Sequence, residues 1–111
     1  MTKEEALKVW EHEFGNKDYA YDFTGRKIKR EDYNVDNQVG WQVSFMKPLK
    51  SGGKDYDGNI VIAHLHTISE KGDDYPEFYV DSVKYHVLYD KDGDFYYIES
   101  LDIREDEEEW E

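Results

Sequence analysis

Apolar positions change their spacing several times along the chain, and each change predicts an element. Leu7, Trp10 and Phe14 recur at i, i+3 and i+7, with Ala6 and Val9 beside them, which is one face of a helix of about three turns. Thr2 and Glu5 form a capping box in front of that stripe and Gly15-Asn16 a stop behind it, so a helix is expected from Lys3 to Phe14. Thr24-Gly25 separates the short runs Tyr21-Asp22-Phe23 and Lys27-Ile28-Lys29, which predicts a small hairpin or an irregular turn. From Gly40 to Met46 the pattern has period two, with Trp41, Val43 and Phe45 on one face, and this reads as a strand with Phe45 in the core. Pro48 stops it, and Ser51-Gly52-Gly53 opens a loop running to Gly58.

Three β-branched residues, Ile60-Val61-Ile62, then predict a second strand over Asn59 to Leu65. Thr67-Ile68-Ser69-Glu70 is a second capping box, expected to open a short helix that Gly72 ends. Val83, Tyr85, Val87 and Tyr89 alternate with polar neighbours, and Asp92-Gly93 is a two-residue hairpin signal. Folding back at that point puts Tyr89 opposite Tyr96, Val87 opposite Ile98 and His86 opposite Glu99. The expected fold is therefore α+β: an N-terminal helix, a strand–loop–strand–helix core and a C-terminal antiparallel hairpin.

Charge and composition narrow the function. The chain has 111 residues and a net charge of −13, which suits one domain and disfavours duplex DNA binding through counterion release. A single domain is expected over 1–104, followed by an acidic, disordered tail over 105–111. The basic residues cluster: Arg26, Lys27, Lys29 and Arg30 lie within five positions, and Lys47, Lys50 and Lys54 follow; Arg26, Lys27, Lys29, Arg30, Lys47 and Lys50 are the candidate binding residues. The absence of Cys excludes disulfides and thiolate metal sites. No apolar run is long enough for a membrane span, and the N-terminus carries no signal-like stretch, so a cytoplasmic protein without membrane partners is expected.

Four segments in order carry a resemblance: Gly40-Trp41-Gln42-Val43-Ser44-Phe45-Met46-Lys47-Pro48, Lys50-Ser51-Gly52-Gly53, Asp57-Gly58-Asn59-Ile60 and Glu70-Lys71-Gly72-Asp73. Together they resemble the HNH, or ββα-metal, endonuclease family. Asp22-Phe23-Thr24-Gly25-Arg26-Lys27-Ile28 resembles the segment that precedes the core in compact bacterial members. The resemblance implies a ββα core, a His on the first strand as general base, and a neighbouring Asp or His that holds one divalent metal with a His or Asn on the short helix. It also implies an Asn that braces the connecting loop.

Asn59 matches the bracing residue, but the Asp-His pair falls on Ser44-Phe45 and the helix ligand on Ile68. Phe45 and Ile68 can neither take a proton nor bind a metal, so the motif is degenerate and no catalytic residue, metal or cofactor is expected. The first expectation is thus a catalytically inactive HNH-like protein acting as a binding module, with a protein partner, basic in character, and at most weak nucleic-acid binding. Two alternatives stand beside it. One is a divalent-metal endonuclease with unconventional ligands, for which His64 and His66, at i and i+2 on a continued second strand, are the candidates. The other is an acidic inhibitor or nucleic-acid mimic.

Overall fold

A computed structural model describes residues 1–101; the acidic tail over 105–111 lies outside the described residues. The described residues form a mixed α+β fold with two α-helices and three small sheets: α1 (Lys3–Phe14), β1 (Tyr19–Tyr21), β2 (Lys27–Lys29), β3 (Trp41–Phe45), β4 (Ile60–His64), α2 (Leu65–Lys71), β5 (Glu77–Val80), β6 (Val83–Asp90) and β7 (Phe95–Ser100). It divides into two units, one of Met1–Ser44 with Val61–Ser69 and one of Phe45–Ile60 with Glu70–Glu111. Among the described residues no helix is long and apolar enough to cross a membrane.

The first unit is built on α1. Thr2 Oγ1 accepts from the Glu5 N–H and Glu5 Oε1 from the Thr2 N–H, so the capping box forms as expected and satisfies two first-turn donors. Gly15 ends the helix at φ 70°, a conformation open to glycine at little cost. The apolar face buries Ala6 and Trp10 against Ala20, Ile28, Trp41 and Ile62. Trp10 packs on Trp41 with ring centroids 4.9 Å apart, and both indoles are satisfied: Trp10 Nε1 donates to Lys17 O and Trp41 Nε1 to Lys29 O. The β1–β2 hairpin pairs Tyr19 with Lys29 and Tyr21 with Lys27.

In the second unit the C-terminal element is a three-stranded sheet in the order β5-β6-β7, not a hairpin alone. β5 escapes the sequence pattern because it is only four residues long and sits just behind Pro76. The β6–β7 register is the expected one, with His86 opposite Glu99 and Tyr89 opposite Tyr96. The turn differs. Strand pairing ends at Asp90 and Phe95, leaving a four-residue loop in which Asp94, not Gly93, takes the positive φ of 59°. The two-residue turn with both central φ angles positive is instead Asp81-Ser82, at 54° and 68°, between β5 and β6.

Two further expectations are corrected. Phe45 is half-buried, while Met46 beside it is buried, so Phe45 is not the core residue that its parity with Trp41 suggests. Helix α2 begins at Leu65, which puts Thr67 inside the helix rather than at its cap. The reason is His64: its Nδ1 accepts the His66 N–H at 3.0 Å and does the work of a capping side chain three residues before Thr67.

Candidate functional site

The first unit holds a cleft of about 440 Å³ lined by Arg26, Lys27, Asp36, Asn37, Gln38, His64 and His66. Behind two of its lining residues, Arg26 and His64, stands Asp22, which follows β1, is 6% exposed and bonds the backbone N–H of both. Oδ1 accepts from the Thr24 N–H (2.9 Å), the Thr24 hydroxyl (2.7 Å) and the Arg26 N–H (3.1 Å), which closes the turn between β1 and β2. Oδ2 accepts from the His64 N–H (3.0 Å) and the Thr67 hydroxyl (2.7 Å), which ties that turn to the β4–α2 junction. Burial pushes the Asp22 carboxyl up, but the bonds from Thr24, Thr67, His64 and Arg26 outweigh it and hold the group below its ordinary value. Thr67 passes the network on, its Oγ1 accepting from Arg26 Nη1 at 2.9 Å.

His64 is fixed at both ring nitrogens. Nδ1 accepts from the His66 N–H, so in the neutral ring Nε2 carries the proton and donates to Gln38 O at 3.0 Å. The one in-plane lone pair, on Nδ1, is thus engaged, and Nε2 carries a proton, so neither nitrogen is open to a metal or to proton abstraction. The pair His64 and His66 does not share a strand face, because β4 ends at His64 and His66 stands in the first turn of α2. Their rings lie edge-on, 5.8 Å between centroids. Among the described residues no three His, Cys, Asp or Glu side chains converge in a way that would hold a metal ion.

The structure gathers only part of the basic cluster here. Arg26 and Lys27 line the cleft, whereas Lys29 and Arg30 do not. Lys27 and Lys29 place their ammonium groups 4.5 Å and 5.8 Å from the Tyr19 ring centroid. Arg30 bonds Glu11 at 2.9 Å and lies 3.6 Å from Glu31. Ser44 and Ile68 belong to the first unit and Phe45, Lys47, Lys50 and Asn59 to the second.

In the second unit Lys50 pairs with Asp73 at 3.1 Å on the surface, and Lys47 Nζ stands 5.5 Å from the Tyr75 ring centroid. Asn59 is fully buried and spends its amide on the connecting loop: Oδ1 accepts the Lys47 N–H at 2.8 Å, and Nδ2 donates to Lys47 O (2.9 Å) and Lys54 O (3.0 Å). A Cβ on Gly53 would stand 1.9 Å from Lys47 O and 3.0 Å from Asn59 Nδ2, so the loop closes over the clamp only with glycine there.

Asp22 and Thr67 are the residues that sequence reasoning missed as organisers. The signal present in the sequence, Asp followed by Thr at i+2, points to a local turn only. No family model matches this chain, nor does any curated protein or solved structure.

Proposed function

We propose that this chain is a catalytically silent relative of the HNH endonucleases that serves as a binding module for a protein partner. The observation that carries this reading is the Asn59 clamp, a buried amide that holds the two ends of the loop between β3 and β4. The order strand, braced loop, strand, short helix supports a ββα core. On that core Ser44, Phe45 and Ile68 occupy the positions of base and ligands, and none supplies an imidazole or a carboxylate. The engaged nitrogens of His64 weigh against a nuclease with substitute ligands. The net charge of −13 weighs against a nucleic-acid partner and favours a basic protein, whose encounter it would accelerate.

The test is incubation of the purified protein with supercoiled plasmid and magnesium, manganese, nickel or zinc. No nicking above a metal-only control is expected. Nicking that His64→Ala or His66→Ala abolishes overturns the reading.

A further inference from the structure

The register of the β5-β6-β7 sheet sorts its residues onto two faces. Phe78, Val80, Tyr85 and Val87 share one face and are all buried. The other face presents Tyr79, Phe95 and Tyr97, at 57%, 41% and 38% exposure, with half-buried Leu88 paired to Tyr97. Carboxylates interleave with these rings. Glu77 and Glu99 stand on either side of His86 in one cross-strand row, and Asp90 is paired with Phe95. On this face the Lys84 ammonium is bridged to Glu77 at 3.1 Å, and the His86 ring lies between the two glutamates.

Charge is also distributed unevenly between the units. The first unit carries seven basic and nine acidic residues, a net −2, and the described part of the second carries six and eleven, a net −5. Residues 102–111 add one basic and seven acidic residues, which completes the total of −13.

We propose that this aromatic sheet face docks an arginine-rich segment of a protein partner. The inference deepens the binding-module reading and rests on it. A guanidinium is planar and weakly hydrated, so it can stack on a tyrosine ring while its edge bonds a neighbouring carboxylate. An ammonium gains less from the same pairing because it keeps its hydration shell. An exposed aromatic sheet is also a platform for single-stranded bases, but such platforms need a cationic track for the phosphates, and the side chains here are mostly acidic.

The probes are nona-arginine and nona-lysine peptides, titrated calorimetrically into the full chain at physiological salt. Nona-arginine should bind more tightly than nona-lysine. The triple variant Tyr79→Leu, Phe95→Leu, Tyr97→Leu should weaken the arginine peptide by about tenfold, the sum of two or three stacking contacts, and barely affect the lysine peptide. Amide shift mapping on the wild-type chain should centre on β5, β6 and β7, and it decides the matter if the triple variant fails to fold. Equal affinity for both peptides, no binding, or shifts confined to residues 102–111 overturns the proposal. So does binding that the triple variant retains but that Glu105→Gln, Glu107→Gln, Glu108→Gln and Glu109→Gln together remove. Plasmid nicking with arginine-peptide binding intact would instead refute the silent-nuclease reading and leave the docking face standing.

Discussion

Replacing Asp22 with asparagine keeps the shape of the side chain and removes its charge and one acceptor. Five donors converge on the two carboxylate oxygens, three on Oδ1 and two on Oδ2. The less disruptive placement puts the new NH2 on the Oδ2 side, where it opposes the His64 N–H and the Thr67 hydroxyl. Thr67 can turn its proton away, but it already accepts from Arg26, and the His64 N–H stays buried without a partner. Two lost bonds, each at the low end of roughly 1.5–3 kcal/mol for a charged acceptor, come to about 3 kcal/mol, and the three weakened ones can only add to it. For a domain of this size that corresponds to a fall of roughly 10–20 °C in Tm.

The pH dependence gives a second reading of the same carboxylate. The folded-state pKa of Asp22 lies below its ordinary value of 3.8, so its stabilisation is complete above that value and is lost as pH falls through the folded one. Urea titrations of wild type and Asp22→Asn should therefore differ by about 3 kcal/mol at pH 7, and the gap should narrow in strongly acidic buffer. A difference below about 1 kcal/mol at pH 7, or one that does not narrow on acidification, refutes the ionised hub.

Three other substitutions have defined outcomes. Asn59→Ala should cost about 3 kcal/mol in a denaturant melt, one for each clamp bond, and Asn59→Asp should be worse at neutral pH because a carboxylate would face the carbonyls of Lys47 and Lys54. Phe45→Ala should cost about 2 kcal/mol by thermal melting, less than a fully buried phenylalanine, because the ring is half-exposed to begin with. The Tyr89 hydroxyl donates to Asp94 at 2.6 Å, and that bond, with burial and the Asp94 charge, pushes its pKa up to about 12. Its contribution to stability is present below the ordinary value of 10.0 and lost as pH rises toward 12, and an ultraviolet phenol titration should lose its highest-pH step in Tyr89→Phe.

What was legible in the sequence was local and periodic. The bounds of α1 follow from its cap and its 3.6-residue stripe, and the β6–β7 pairing from strict alternation. The turn residues misled: Asp92-Gly93 looks like the tightest hairpin signal, but the loop is held by Asp side chains. Asp90 Oδ1 accepts the Gly93 N–H and Asp94 Oδ1 the Tyr89 hydroxyl, and the tight turn fell to Asp81-Ser82. The start of α2 was misread because a histidine ring does the capping, which residue preferences do not anticipate. Asp22 was invisible as a hub because two of its partners, His64 and Thr67, lie 42 and 45 residues away in the chain. Asn59 was legible only through the family resemblance, which pointed to a bracing amide that local pattern alone cannot distinguish from a turn residue.

The most direct test of the central claim is whether the ββα positions hold a metal at all. Manganese added to the isotopically labelled protein broadens amide signals around any ion that is held in place. The silent-nuclease account expects no saturable broadening centred on Ser44, Phe45 and Ile68 at up to millimolar manganese. Stoichiometric broadening there, or around His64 and His66 with loss on His66→Ala, would mean that a metal centre survives and would contradict it.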